Sequence, residues 1–326
     1  MTLSHITQDQ YNRIKGAFYG QAIGDALGLG TEFLSKVEVK QYYPNGLSRY
    51  SDIIRDKHRS RFDLGAWTDD TDQFLSILNS ILEEGKVSAE GIAKHLRIWF
   101  NNKPLGIGST VLKVITVLGY QKSPFKASQW IWERSKKQNA SNGAVMRTSI
   151  IGCYEFWNTD NVLSNAETAA KTTHFDPRCV GSSAMISWLI SKLILENGTV
   201  QYDDIIALGD RYDDRIRSFL NNVNEDISSL NLDEPVSIGY TLKTLGAGLW
   251  AMKYAKDFES GIQRVIMQGG DADTNAAVAG SVLGCKYGFN SIPSPLVNEL
   301  KNRDYLESAL NDFLTLLDNQ LKTVNQ

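Results

Sequence analysis

The stretch Gly269-Gly270-Asp271-Ala272-Asp273-Thr274, which continues as NAAVAGSVLGCKYG to Gly288, joins an acidic cluster to a run of small residues. A second acidic cluster, Thr68-Asp69-Asp70-Thr71-Asp72, stands about 200 residues earlier, and each cluster opens a predicted helix. Carboxylates this close together repel one another, so a folded protein tolerates them only in water or around a cation. Oxygen ligands of this kind select a hard ion, Mg²⁺ or Mn²⁺, before zinc.

Capping is the alternative interpretation of these clusters. Asp and Thr favour helix N-termini, where their oxygens accept from free N–H groups and negative charge meets the helix dipole. One cluster alone would leave the two interpretations equally open. The presence of two clusters favours a metal site.

Helical geometry limits how the acidic residues can act. Residues two apart on a helix point about 200° away from each other, so Asp271 and Asp273 must lie in a loop or on a first turn to reach one ion. Gly269-Gly270 supplies the flexibility for such a turn, and Thr274 is expected both to cap the helix and to offer a hydroxyl oxygen. The same argument puts Thr68, Asp69 and Asp70 at the head of a helix that runs through Leu82.

A glycine stripe occupies the first predicted helix, at Gly16, Gly20, Gly24 and Gly28. Each helical glycine costs about 1 kcal/mol relative to alanine. Such a stripe either lets another backbone approach closely or leaves room for a ligand. A matching small-residue surface follows the second acidic cluster, so we expect the two stripes to pack together at the centre of the molecule. This second surface consists of Ala276, Ala277, Ala279, Gly280 and Gly284.

Helical periodicity dominates the remaining chain, with apolar faces between Phe74 and Leu82 and between Ile186 and Ile194. Strand-like alternation is scarce, and no linker divides the sequence, so we predict one domain over residues 1–326. Residues 36–62 are predicted to be irregular, with a solvated charged loop at residues 56–61. Residues 203–234 are predicted to form a peripheral helix with a loop.

Composition excludes several classes of protein. The net charge of −3 and the pI near 5.9 give no electrostatic reason to expect a polyanionic partner, so we expect no nucleic acid binding. The three scattered cysteines, Cys153, Cys179 and Cys285, support neither a disulfide framework nor a zinc site and fit a reducing cytoplasm. Residues 1–9 do not resemble a signal peptide, and the apolar stretch from Ala184 to Leu195 is short and interrupted by a lysine, so no membrane span is expected.

Four segments resemble the ADP-ribosylglycohydrolase family, which includes the dinitrogenase reductase-activating glycohydrolase and the ADP-ribosylarginine and ADP-ribosylserine hydrolases. They are GQAIGDALGLGTE (20–32), WTDDTD (67–72), SNGAVMR (141–147) and GGDADTNAAVAGSVLGCKYG (269–288). Their order and rough spacing are those of the family, and they span most of the chain. Together with the helical periodicity, the resemblance implies an all-α, single, compact, orthogonal multi-helix bundle with a central dinuclear metal site.

The resemblance also implies roles for individual residues. Two Mg²⁺ ions, with Mn²⁺ as the substitute, would be held by Thr68, Asp69, Asp70, Asp271, Asp273 and Thr274. Asn142, Gly143 and His174 would contact ADP-ribose, with a capping residue before a proline turn as the alternative for His174. Glu32 matches a glutamate that contacts a metal or takes part in the chemistry, with a salt-bridged surface glutamate as the alternative.

Other residues near these motifs have less defined roles. Asp25 is expected to be a structural hydrogen-bonding residue. Met146 and Arg147 are also expected to be structural, with a carboxylate as the expected partner of the arginine. Asn275 departs from the family, because many relatives have an apolar residue there. Asp72 and Tyr240 are expected to neighbour the site without an assigned role.

The activity implied by the resemblance is hydrolysis of the glycosidic bond at the distal ribose of an ADP-ribosylated protein or small molecule. Such a bond breaks through an oxocarbenium-like transition state, and Asp69, Asp273 or Glu32 would take a proton from the attacking water. The linkage is open among arginine, serine, O-acetyl-ADP-ribose and nucleobase adducts, with arginine modestly favoured.

Two other functions stay open at this stage. One is a protein that binds ADP-ribose or blocks a cognate ADP-ribosyltransferase, with or without hydrolysis; six oxygen ligands are more than a pure binder needs. The other is an isoprenoid-diphosphate enzyme, whose D-D-x-x-D motif binds Mg²⁺. Here Asp72 comes one residue too early for that motif, and SNGAVMR has no place in it.

Overall fold

The structure is a computed structural model that describes residues 4–324, and the all-α prediction is confirmed within that range. Sixteen α-helices are joined by loops and short 3₁₀ turns, and the only β pairing between residues 4 and 324 is an isolated bridge between Ser141 and Tyr240. The helices are α1 (Gln8–Gly28), α2 (Lys36–Tyr42), α3 (Asp69–Glu84), α4 (Ala89–Asn101), α5 (Ser109–Ile115), α6 (Pro124–Arg134), α7 (Ser149–Cys153), α8 (Thr159–Lys171), α9 (Pro177–Leu195), α10 (Tyr202–Gly209), α11 (Asp214–Leu220), α12 (Thr241–Tyr254), α13 (Phe258–Ile266), α14 (Ala272–Tyr287), α15 (Ser294–Asn298) and α16 (Arg303–Val324).

Helices α1 and α14 pack backbone against backbone at the centre of the fold. A methyl group added to Gly20 would lie 2.0 Å from the carbonyl oxygen of Gly280, and one added to Gly16 would lie 2.0 Å from that of Gly284. The glycines nearer the end of α1 meet residues nearer the start of α14, so the two helices run antiparallel. The glycine stripe therefore serves packing, and the predicted pairing of the two small-residue surfaces is present.

Two backbone hydrogen bonds then tie the turn after α1 to the turn before α14. Phe33 N–H donates to the carbonyl of Gly270 at 2.6 Å, and Gly270 N–H donates to the carbonyl of Leu34 at 2.9 Å. Gly269 and Gly270 have φ of +68° and +72°, and a methyl group on either would lie 2.1 Å from a backbone oxygen. Only glycine fits this close approach, which brings Glu32 beside Asp271.

Helix α3 packs its predicted apolar face into the core. Phe74, Ile77, Leu78 and Ile81 are buried, and the Phe74 ring meets the Phe18 ring of α1 edge-on, with 5.0 Å between centroids. This contact sets the N-terminus of α3, and with it the first acidic cluster, against the second half of α1.

Helix α9 carries the other predicted apolar face, and residues Ile186 to Ile194 on that face are buried. Among the described residues, Pro177–Leu195 is the one helix long and apolar enough to cross a membrane. Within its most apolar 18 residues, 83% are buried inside the protein.

The predictions for the less regular segments are partly wrong. Residues 36–62 contain helix α2 and two 3₁₀ turns, and Arg59 in the predicted solvated loop is only 2% exposed. Its guanidinium donates to the carbonyls of Gly30 (2.9 Å) and Glu32 (2.5 Å), so it braces the turn after α1. Residues 203–234 hold most of α10, all of α11 and a 3₁₀ turn rather than one helix with a loop.

One hydrophobic cluster extends from Ile6 to Leu321 through most of the helices. Its continuity supports the single-domain prediction, which stays a prediction. Residues 1–3 and 325–326 belong to that predicted domain, and the first three also to the stretch predicted not to be a signal peptide; they lie outside the described residues.

Candidate active site

A cavity of about 440 Å³ lies where the end of α1 meets the N-termini of α3 and α14. The structure brings every predicted site residue to its wall, although they come from five separate segments of the sequence. These residues are Glu32, Thr68, Asp69, Asp70, Asn142, Gly143, His174, Asp271, Asp273 and Thr274. A cavity of this volume is large enough for a small organic ligand.

The first group of carboxylates consists of Asp25, Asp70 and Asp273, each with one oxygen within 4.8 Å of the others. Asp25 on α1 accepts from the N–H groups of Thr68 (2.8 Å) and Thr71 (2.9 Å), so it positions the first turn of α3. Among the described residues, no donor reaches the buried oxygen Oδ1 of Asp70. A buried acceptor without a partner is costly, and a cation is the partner that this group suits.

The second group consists of Glu32, Asp271 and Asp273, again with one oxygen of each within 4.8 Å of the others. Glu32 Oε2 lies 2.7 Å from Nε2 of His58, which comes from the segment predicted to be irregular. Glu32 is therefore largely buried in the cavity wall, and its partner His58 also lines the cavity. Asp273 belongs to both groups, so two cation sites in this cavity would share it.

The capping interpretation of the clusters does not describe their side chains. Thr68 and Asp271 occupy the N-cap positions of α3 and α14, yet neither side chain accepts a hydrogen bond from its own helix. Thr274 was expected to cap α14, and this is wrong because it is the third residue inside that helix. Asp25 from another helix accepts from the first N–H groups of α3 instead, so Asp70 on that turn keeps one buried oxygen without a donor.

Burial and mutual repulsion dominate the electrostatics of the cavity. Loss of solvation, followed by repulsion from neighbouring carboxylates, holds the pKa values of Asp70 and Asp273 well above the usual range. The same two causes raise the pKa of Asp69. Loss of solvation is also the main cause that raises the pKa of Asp271, against the hydrogen bond from Asn142. A divalent cation would relieve both costs, so the donor set fits one.

A chain of buried hydrogen bonds fixes the orientation of Asp271. Asn142 Nδ2 donates to Asp271 Oδ2 at 2.7 Å and to Thr244 Oγ1 at 3.0 Å. The hydroxyl of Thr244 in turn donates to Oδ1 of Asn275 at 2.8 Å. The predicted contact of Asn142 with ADP-ribose stays a prediction, and its amide N–H groups here donate to Asp271 and Thr244. Asn275, the departure from the family pattern, ends this chain.

His174 is buried beside the cavity and held by two hydroxyl groups. Its Nε2 lies 3.0 Å from Ser141 Oγ, and its Nδ1 lies 2.8 Å from Thr173 Oγ1. Loss of solvation lowers the pKa of His174 to about 3, so the ring is neutral near pH 7. A methyl group added to Gly143 would lie 2.9 Å from the imidazole, which explains the small residue there.

Two further residues of the motifs have roles that the sequence did not specify. Arg147 is fully buried and donates to Gln73 Oε1 (2.6 Å) and Thr173 Oγ1 (2.5 Å), so the expected pairing with a carboxylate is wrong. Asp72 accepts from the indole N–H groups of Trp67 (2.8 Å) and Trp99 (3.1 Å) and lies outside the central cavity.

Sequence reasoning missed several residues of the cavity wall. His58, Arg61 and Phe62 come from the segment predicted to be irregular, and Phe33 lies in the turn after α1. The segment Gly106–Thr110, which leads into the first turn of α5, also lines the cavity. Its Gly-x-Gly-Ser-Thr pattern was a signal for a tight polar turn, whereas nothing in the spacing of residues 58–62 indicated contact with the site.

Residues 6–322 match the family model described as ADP-ribosylglycohydrolase. The ADP-ribosylarginine hydrolase Tri1 of Serratia proteamaculans is 25% identical, covering 92% of this chain and 78% of that protein. The ADP-ribosyl-[dinitrogen reductase] glycohydrolase of Rhodospirillum rubrum is 25% identical, covering 89% and 90% respectively. A solved structure titled ADP-ribosylglycohydrolase-related protein complex superposes with a TM-score of 0.74 at 25% identity, covering 95% of this chain and 99% of that one.

Proposed function

The chain belongs to the ADP-ribosylglycohydrolase family of enzymes, and on that basis we propose that it is a metal-dependent hydrolase that removes ADP-ribose from arginine side chains. Removal of ADP-ribose from a modified target is the activity of the family. The observation that carries the finer proposal is the pair of carboxylate groups that share Asp273 at one cavity.

The residues that would hold two divalent cations are the carboxylates of the two groups other than Asp25, whose oxygens accept from the first turn of α3. Asp70 and Asp273 would serve one cation, and Glu32, Asp271 and Asp273 the other. Thr68, Asp69 and Thr274 line the same wall. Bound Mg²⁺ or Mn²⁺ would supply positive charge for the ribose oxygens and lower the pKa of water.

The protein's own residues would handle the proton of the attacking water. Glu32 accepts through Oε2 from His58, and Asp69 accepts through Oδ2 from Gln73 at 2.9 Å. The other oxygen of each carboxylate can then take a proton. Asp273 accepts at Oδ1 from Thr274 N–H (2.8 Å) and is shared by both groups, so we assign it to cation binding alone. The proton then goes to Asp69, or to Glu32 where that carboxylate does not ligate the second cation.

Arginine is the proposed linkage because a relative that aligns with 92% of this chain is named an ADP-ribosylarginine hydrolase. The proposed substrates are therefore ADP-ribosylated proteins. The three cysteines are free and buried, which supports action in a reducing cytoplasm.

The test is the release of free ADP-ribose from arginine-, serine- and nucleobase-linked substrates, with Mg²⁺, with Mn²⁺ and with a chelator. We expect cation-dependent release from the arginine-linked substrate. Asp273→Asn should lose most activity and most Mn²⁺ binding measured by calorimetry, whereas Asp203→Asn on the exposed face of α10 should retain both. Full turnover in the chelator would contradict the metal dependence.

A different result would favour the alternative function. Binding of ADP-ribose without release from any substrate would identify a protein that reads the modification or blocks an ADP-ribosyltransferase. That interpretation would then be tested by mixing the protein with such a transferase and measuring modification of its target.

A further inference from the structure

We propose that Phe33 is the specificity residue for the leaving group, and that its ring receives the planar guanidinium of arginine. This inference rests on the proposed function, since it concerns the part of the substrate beyond the ribose. It assigns a role to a residue that no motif singled out.

Phe33 is held in an unusual conformation at the cavity wall. Its φ is +60°, a left-handed value that bulky side chains rarely adopt and that glycine or asparagine adopts at less cost. The hydrogen bond from its N–H to Gly270 fixes the backbone there. Backbone strain of this kind is found at functional sites, where the surrounding structure maintains it.

The strained backbone presents an aromatic ring to solvent. Phe33 is 58% exposed although it lines the cavity that contains the carboxylates. Burial would explain a phenylalanine in the core, but it does not explain this one. The ring is therefore available to a ligand that enters the cavity.

The surroundings of the ring match a planar cation. The Phe33 ring lies 5.4 Å from the His58 ring, centroid to centroid, and His58 hydrogen-bonds to Glu32, the residue before Phe33. A ring face beside a carboxylate attracts a guanidinium through its quadrupole and through charge. A serine oxygen has no flat face to stack on that ring, so the arrangement discriminates between the two linkages.

The experiment compares Phe33→Leu, which keeps an apolar side chain of similar reach, with Phe33→Tyr, which keeps the aromatic face. Peptides ADP-ribosylated on arginine or on serine are the substrates, and free ADP-ribose is the reference ligand. We expect Phe33→Leu to lower kcat/KM for the arginine-linked peptide about tenfold, in line with a lost cation–π contact. The affinity for free ADP-ribose and any cleavage of the serine-linked peptide should change less than about twofold on the same argument.

Phe33→Tyr should retain the arginine activity, and Trp130→Leu, at another exposed aromatic outside the cavity, should match the unmodified protein. Thermal melting of each variant checks the fold. Unchanged kcat/KM in Phe33→Leu, or an equal loss of ADP-ribose affinity, overturns the inference.

Failure of the proposed function is distinguishable from failure of this inference. If the unmodified protein cleaves neither peptide, the hydrolase proposal fails, and equilibrium binding of the arginine-linked peptide decides the role of Phe33. Weaker binding to Phe33→Leu, with ADP-ribose affinity intact, supports it. Equal binding to the two proteins overturns it.

Discussion

Thr244 illustrates how much of this site depends on residues that do not line the cavity. It lies fully buried on α12, where its hydroxyl accepts a hydrogen bond from Asn142 and donates one to Asn275. These bonds hold the amide of Asn142 against Asp271. Residues that orient a metal-binding carboxylate influence affinity for the ion without touching it.

We predict that Thr244→Val weakens Mn²⁺ binding about tenfold, because Asn142 and Asp271 lose their fixed orientation. Loss of the buried hydrogen bonds should also cost about 1–3 kcal/mol of unfolding free energy. Calorimetric titration with Mn²⁺ measures the first effect and denaturant unfolding the second. Thr241→Val, one turn earlier on α12 and equally buried, leaves the network untouched and serves as the control. Lower stability with unchanged Mn²⁺ affinity would contradict the orienting role.

His174 should make the free energy of unfolding depend on pH. Burial lowers its pKa to about 3 from an ordinary value of 6.5, so the unfolded chain binds the extra proton between these values. The contribution of His174 to the free energy of unfolding is fully present above pH 6.5. It is lost as pH falls toward 3, by up to ~1.4 kcal/mol per pH unit. His174→Gln should remove this contribution, so unfolding free energies measured from pH 7 to pH 4 should fall less steeply than in the unmodified protein. Parallel slopes would show that the ring does not resist protonation.

At the scale of elements, the antiparallel pair α1–α14 determines where the carboxylates meet. Glycine at position 20 permits contact between the two backbones, because a methyl group there would lie 2.0 Å from the carbonyl of Gly280. The pairing then sets the end of α1 beside the start of α14, where the two glycines at 269 and 270 complete the approach.

We predict that Gly20→Ala forces the two helices apart and costs about 3 kcal/mol or more of unfolding free energy, at the upper end for an overpacked core. Thermal melting and denaturant unfolding measure this loss. Gly108→Ala is the control, since a methyl group there meets no atom within 4 Å and its φ of −63° suits alanine. A Gly20→Ala protein as stable as the control would show that the helix pair tolerates separation.

The sequence predicts the periodic elements of the fold better than the irregular ones. The small residues recur at helical spacing, so the helices that carry them and the packing of those helices could be predicted. Each acidic cluster is compact and adjoins a predicted helix, so the meeting of the two clusters could be predicted as well. His58, Arg59 and Phe33 could not, because their positions follow from a non-periodic segment folding over the end of α1. Asp25 was recognised as a hydrogen-bonding residue, but its partners in α3 depend on how two helices cross.

For the whole molecule, the crowded carboxylates are a source of instability that the proposed cation would remove. A ligand that binds only the folded state stabilises it by RT ln(1 + [L]/Kd), about 2.7 kcal/mol at one hundred times Kd. We predict that saturating Mg²⁺ or Mn²⁺ raises the melting temperature by several degrees, which corresponds to this free energy in a chain of this size.

Differential scanning calorimetry with added cation and with chelator measures the shift. The shift should shrink in Asp273→Asn, which removes the charge common to both carboxylate groups, and persist in Asp203→Asn. Equal melting temperatures with and without cation would exclude binding at the carboxylates.

The packing of α14 against α1 and α3 joins residues that the ribosome synthesises far apart in time. The ribosome reaches Asp69 and Asp70 about 200 residues before Asp271 and Asp273, and at about 5–20 residues per second that interval lasts roughly 10–40 s. Throughout that time the glycine stripe of α1 has no α14 to pack against, and the emerging polypeptide carries only the first of the two acidic clusters. We therefore expect the proposed cation site to be absent from every unfinished chain and to form only when α14 packs against α1.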